Sequence, residues 1–186
     1  MYGMAVRVAL TMVVLLAACA PPAHHVSGTL IDPPRPAPAI ALRDASGNSF
    51  DLAQLRGSVV ALFFGFTQCK DICPQTLRRL VHAGQSQRSG APLRIVMVTV
   101  DGRHDTPARL RAFIRPAGSA GIALTGTPAQ LRATYGAYGL AVVPERGDVG
   151  HTDTVFVIDP QGRLVETFDP QMPASAIAAD LRMAGT

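Results

Sequence analysis

The longest apolar run outside the first eighteen residues is Val59-Val60-Ala61-Leu62-Phe63-Phe64. It predicts a strand over 59–66 that is buried on both faces. Leu93-Arg94-Ile95-Val96-Met97-Val98-Thr99-Val100 predicts a second such strand. Shorter segments at 40–44 and 49–52 flank Ala45-Ser46-Gly47-Asn48 and read as a hairpin. Segments at 154–159 and 163–168 read as another, around Pro160-Gln161-Gly162. Helical patterns follow residue 73 to about residue 87, and occupy 107–114, 128–134 and 174–183. Two of them open on Thr106-Pro107 and Thr127-Pro128, with threonine at the N-cap and proline at the first helical position. Strands alternating with helices, then a hairpin and a helix, predict an α/β fold: a mixed sheet flanked by helices on both faces, with an N-terminal hairpin.

The first 38 residues are different in kind. Arg7 precedes an apolar run from Val8 to Ala18, too short to span a bilayer, and residues 1–18 read as a signal peptide. Leu16-Ala17-Ala18-Cys19 resembles a bacterial lipobox, which implies that Cys19 is lipidated and becomes the mature N-terminus. The alternative is an ordinary secretory signal with Cys19 incidental. Either way the folded part is expected outside the cytoplasm, on the periplasmic side of a bacterial membrane, where a dithiol can be oxidised. Residues 19–38 contain six prolines and read as a tether biased to polyproline II, reaching at most about 60 Å. His24 and His25 within it could bind a metal, or could simply be solvated. Residues 39–186 are long enough for a single domain with its own core. The formal charge of +4 comes from scattered arginines without interleaved aromatics, which gives no nucleic-acid-binding surface.

With Cys19 assigned to the anchor, Cys69 and Cys73 are the remaining thiols, in Cys69-Lys70-Asp71-Ile72-Cys73-Pro74 at the junction of a strand and a helix. Pro74 is expected at the first helical position and Cys73 at the cap, where free backbone N–H groups and the helix dipole favour thiolate. Lys70, the only lysine of the chain, would favour it further, or is merely a solvated charge. The spacing permits a disulfide between Cys69 and Cys73 without requiring one. Three intervening residues open the space between the sulfurs, which suits coordination, and two thiolates with an imidazole would hold copper. His151, just ahead of a strand, is one candidate third donor; His104 is its rival, and His82 falls within a helix.

A dithiol after the first central strand makes the domain look like a thioredoxin fold. More specifically, Gly65-Phe66-Thr67 leading into Cys69-Lys70-Asp71-Ile72-Cys73-Pro74 resembles the dithiol segment of the Sco/SenC family of thioredoxin-like copper proteins. Val98-Thr99-Val100-Asp101 with Asp105-Thr106-Pro107 resembles its next segment, and Leu124-Thr125-Gly126-Thr127-Pro128 with Tyr138-Gly139 another. His151, eight residues before Asp159-Pro160, falls where that family carries its copper-binding histidine. The resemblance implies Cys69, Cys73 and His151 as copper ligands, with Asp101 or Asp105 orienting the site from behind unless they serve only as caps and loop residues. Lys70 and Gly102 stand where the family usually has proline.

Two functions follow. The first is a membrane-tethered metallochaperone for Cu(I) or Cu(II), whose recipient the resemblance implies to be the CuA-bearing subunit of cytochrome c oxidase. The second is a thiol–disulfide reductase in which Cys69 and Cys73 act on a redox partner, such as the oxidised cysteines of that same copper site. A sensor role rests on nothing beyond the dithiol. Residues 65–74 lack the lone cysteine and Pro-x-x-x-Thr approach of a peroxidatic motif.

Overall fold

The computed structural model describes residues 26–86, 90–145, 148–151 and 153–186. These form strands β1 (Thr29–Pro36), β2 (Ala41–Asp44), β3 (Ser49–Asp51), β4 (Val59–Gly65), β5 (Leu93–Thr99), β6 (Gly121–Thr125), β7 (Val142–Glu145), β8 (Asp148–His151), β9 (Val155–Ile158) and β10 (Arg163–Phe168). The helices are α1 (Ile72–Gln85), α2 (Pro107–Ile114), α3 (Pro128–Ala137) and α4 (Ala174–Ala184). Eight strands make one mixed sheet in the order β1-β10-β9-β4-β5-β6-β2-β3, and β7 and β8 form a separate two-stranded ribbon. β4, β5 and β6 are parallel; β9 runs antiparallel to β4.

The apolar run at 59–64 is the spine of this sheet. Every residue of β4 is buried, and the period of two along a strand sends alternate side chains into different cores. Val59, Ala61 and Phe63 join the cluster under α1, α2 and α4, with Leu80, Leu110 and Leu181. Val60, Leu62 and Phe64 join the cluster under α3, with Leu131, Tyr135 and Tyr138. Helices therefore cover both faces, as the sequence predicts. In α1, Cys73, Thr76, Leu77, Leu80 and Ala83 are buried, the spacing of a single inward stripe. Both threonine caps form as expected: Thr106 accepts from Arg109 N–H at 3.3 Å, and Thr127 with Gln130 completes a capping box.

The chain departs from expectation before residue 39. Residues 29–36, read as part of a tether, are the edge strand β1, antiparallel to β10 through Thr29↔Thr167, Leu30↔Glu166, Arg35↔Leu164 and Pro36↔Arg163. The pairing is interrupted between Leu30 and Arg35, where Pro33 and Pro34 lie. Proline lacks an N–H, so it is tolerated at an edge or an irregularity where none is required. A composition rich in proline therefore reads as tether although the backbone pairs. Among the described residues no helix is long and apolar enough to cross a membrane.

Leu80 is fully buried between α1 and the sheet. Leu80→Ala is expected to lower stability by about 2–5 kcal/mol, the usual loss for truncating a core leucine. Chemical denaturation checks this; a loss below about 1 kcal/mol would mean that α1 is not held by this packing.

Candidate metal centre

The dithiol lies in the loop between β4 and α1, at the C-terminal end of the central parallel strands. That loop is short, and three bonds fix its start. Val100 N–H donates to Gly65 O at 2.8 Å, Cys69 N–H donates to Phe66 O at 3.3 Å, and Thr67 N–H donates to the Asp105 carboxylate at 3.0 and 3.2 Å. Asp105 is 3% exposed and also accepts from the Thr67 and Thr99 hydroxyls, each at 2.5 Å. One buried carboxylate thus ties the dithiol loop to the end of β5. Thr99 Oγ1 in turn accepts from Asp101 N–H at 3.0 Å, and Tyr135 donates its hydroxyl to Thr99 O at 2.6 Å. Burial raises the Tyr135 phenol well above its ordinary range, with Asp101 and Asp105 adding to the effect, so it stays a donor.

The helix start corrects one expectation. α1 begins at Ile72 with Asp71 before it, so Cys73 is its second residue rather than its cap, and Pro74 its third. The first N–H groups of a helix have no carbonyl partner inside it, so proline fits there as well as at the first position. The sulfur that meets the helix start belongs to Cys69, which accepts from Cys73 N–H at 3.4 Å. Both cysteines are free thiols; Cys69 is half-buried, whereas Cys73 is 2% exposed. Burial pushes the Cys73 thiol well above its ordinary range, assisted by the Cys69 sulfur and the Asp153 carboxylate and opposed by the backbone at Phe66. Thiolate at Cys73 is therefore disfavoured in this state, contrary to the reading from the cap position.

Gly65 is required by this packing, since a Cβ there would come within 2.9 Å of Cys73 Sγ. Cys73 lines a small cavity together with Ile72, Thr76, Asp153, Thr154 and Pro170. The β4–β9 pairing runs Phe63↔Val155, and continuing it brings Asp153 alongside Gly65 at the same end of the sheet. Residue 151 ends β8, paired with Val142, two positions before Asp153. The His151 side chain itself, with Cys19, His24 and His25, lies outside what the structure describes.

The remaining candidates fall apart from the sulfurs in different ways. His104 is committed to Asp101, with Nδ1 at 2.8 and 2.9 Å from the two carboxylate oxygens. His82 is exposed in the last turn of α1, and Lys70 is exposed in the loop between the cysteines. Among the described residues no three His, Cys, Asp or Glu side chains are grouped to hold a metal. Two soft sulfur donors alone suit a monovalent soft ion and leave room for a further ligand. Thr67 and Thr99 escape a search for ligands because they coordinate nothing. Their trace in the sequence is Thr99 itself, the one hydroxyl in an otherwise apolar stretch of β5 after Arg94.

A free dithiol at the end of the central parallel strand, one sulfur at the helix start and the other beneath it, on a mixed sheet of this order, defines a thioredoxin-like domain. Comparison with known proteins narrows this. The model of the SCO1/SenC family matches residues 32–185, and the chain belongs to that family. A candidate copper-binding protein of Stutzerimonas stutzeri is 37% identical over 139 residues, which are 70% of this chain and 67% of that one. Apo Sco1 of Thermus thermophilus is 30% identical with a TM-score of 0.75, covering 87% of this chain and 98% of its own. Yeast Sco1 solved with copper bound is 26% identical with a TM-score of 0.69, covering 78% and 85%.

Two outcomes test this geometry. In the reduced protein, alkylation at Cys69 is expected to be at least about tenfold faster than at Cys73, because reactivity requires exposure; equal rates in mass-resolved labelling would contradict it. Asp105→Ala strands three buried donors, and an unsatisfied buried group costs about 1–3 kcal/mol. The variant is expected to lose about that much stability in denaturant titration and to label Cys73 faster. Unchanged labelling would mean that Asp105 does not hold the loop.

Proposed function

We propose that this protein is a copper metallochaperone that binds one copper ion through Cys69, Cys73 and His151 and passes it to the CuA centre of cytochrome c oxidase. The observation that carries the reading is the pair of free, adjacent sulfurs at the mouth of the domain, in a family tied to cytochrome c oxidase assembly. Copper is the cargo. Two thiolates and an imidazole suit both its oxidation states. His151 supplies the third donor in this proposal: it is two residues from Asp153, whose charge acts on Cys73, and it stands at the family's histidine position.

The donors differ in access, and that difference sets an order for transfer. A thiolate of the recipient meets Cys69 first and displaces it from the metal, then displaces Cys73, the deeper ligand. Each displaced sulfur takes up a proton or stays thiolate according to pH. Metal binding must itself expel the proton that burial holds on Cys73, so loading is favoured as pH rises. Residues 1–18 act as a signal peptide in this reading, and Cys19 carries the lipid that holds the domain on the periplasmic side of the membrane.

The unequal burial of the two thiols also favours a second reading, disulfide reduction. The Cys69 thiolate attacks a partner disulfide, forming a mixed disulfide and releasing one partner thiolate. Cys73 then gives its proton to the released partner thiolate and attacks the Cys69 sulfur, releasing the second partner sulfur as thiolate; two electrons pass to the partner and Cys69–Cys73 becomes a disulfide. His151 has no part in those steps.

Copper loading of the full-length protein in detergent separates the two. The reduced native chain is expected to hold one copper per chain with sulfur-to-copper absorption bands. Cys69→Ser and Cys73→Ser are expected to lose the bands, and His151→Ala to weaken binding at least about tenfold, the scale of removing one ligand-shell contact. Binding that is unchanged in His151→Ala would sink the three-ligand site and leave disulfide reduction as the function.

A further inference from the structure

At the sheet edge farthest from β3, two carboxyl groups are buried together with no cationic side chain beside them among the described residues. Glu166 on β10 is 2% exposed and Asp180 on α4 is 1% exposed. The two meet at Gly28: Asp180 accepts Gly28 N–H at 3.2 Å, and a Cβ on Gly28 would lie 2.1 Å from Glu166 Oε1. Two carboxyl groups so close and so buried repel unless one carries a proton. The proton belongs on Glu166, because the Asp180 oxygens already take Ser27 N–H at 3.2 and 3.1 Å and Gly28 N–H at 3.2 Å. Glu166 Oε1 has no hydrogen-bond partner among the described residues, which a buried carboxylate could not sustain but a carboxylic acid can. The cross-strand neighbours of Glu166 are uncharged, Leu30 on β1 and Val157 on β9. Among the described residues, the groups acting on its carboxyl are Asp180 on α4 and the Gly28 backbone ahead of β1.

This acid pair closes on the segment that leads into β1. A Cβ at Gly28 would lie 2.1 Å from Glu166 Oε1 and 2.7 Å from Thr167 O, so the backbone there is pressed onto the pair. The strand beyond has little else to hold it. Its side chains are almost all exposed, Leu30 at 58%, and its ladder is broken around Pro33 and Pro34. We propose that residues 27–36 form a proton-operated strap, clamped onto β10 and α4 while Glu166 keeps its proton beside Asp180, and released when that proton leaves.

The direction in pH follows from the chemistry. Burial first, then the Asp180 charge, raise the Glu166 carboxyl to about 8 while the strap is closed. With the strap open and water admitted, the same group returns towards its ordinary value near 4.5. The closed form therefore holds one more proton between these limits. It weakens by up to about tenfold for each pH unit across that window and no further above it. The strap lies within residues 19–38, the segment read from the sequence as the tether of the Cys19 anchor. On the anchored reading, release adds the strap, residues 27–36, to the chain between Cys19 and the domain, roughly 35 Å of extended reach. That consequence rests on the lipid anchor; the strap itself does not.

Hydrogen exchange of the full-length protein in detergent tests it. After correction for base catalysis, protection of the amides of residues 28–31 is expected to fall between pH 5 and pH 8, by up to about tenfold per unit, and then level off. Glu166→Gln keeps a donor for Asp180 but cannot ionise, and is expected to hold that protection constant over the same range. A flat native profile, or the same slope in Glu166→Gln, overturns the proposal. If Glu166→Gln does not fold, carboxyl carbon-13 titration of Glu166 in the native chain decides: a midpoint well above the ordinary carboxylate range supports the strap, and one within that range ends it.

Discussion

The arrangement at the mouth of the domain depends on the buried carboxylate of Asp105. It accepts from the backbone and hydroxyl of Thr67 and from the hydroxyl of Thr99, joining the loop that carries Cys69 to the end of the neighbouring parallel strand. Hydrogen bonds to a charged acceptor are the strong ones, and a buried acceptor of this kind has no water to fall back on. The loop therefore has one geometry available at its start. The freedom that the proposed ligand exchange needs is confined to the residues beyond Thr67, where Lys70 and Asp71 are exposed.

What this fixed start achieves is a difference between two chemically identical groups. Cys69 reaches the loop from the strand side and its sulfur meets the helix N-terminus, half open to solvent. Cys73 is already inside the helix, on the buried stripe with Leu77 and Leu80, its sulfur pressed close to Gly65. Burial keeps a proton on the deeper thiol until a metal or a disulfide draws it off. In either proposed chemistry the outer sulfur makes the first contact and the inner one completes the step. The same α1 that carries Cys73 packs against α4, which holds Asp180 at the strap. The two proton-holding groups, Cys73 and Glu166, are thus supported by one helical layer.

The layers of this fold were legible because β4 is buried on both faces and so writes an unbroken apolar run, and because Thr-Pro marks two helix starts without ambiguity. The dithiol was legible for a similar reason: its spacing places both cysteines at a strand–helix junction whatever the details. Which cysteine caps the helix was not, since it turns on whether Pro74 is the first or third helical residue, and the backbone tolerates either. β1 was missed because an edge strand needs few donors and can carry the prolines that elsewhere signal a tether. The acid pair was invisible in the sequence, as Glu166 and Asp180 lie on different elements and neither stands out from an ordinary surface carboxylate.

Gly102 and Lys70, the two positions where the resemblance leads one to expect proline, sit in different surroundings. At Gly102 a Cβ would lie 2.6 Å from Leu131 Cδ1, the far end of a flexible side chain on α3, so a larger residue there would need that side chain to move. Lys70, by contrast, is exposed in the loop between the two sulfurs. A flexible cation there leaves the core untouched and sets the charge at the rim of the proposed site. Its consequence therefore falls on encounter with an incoming thiolate or acidic surface, where charge at the rim governs rate more than affinity.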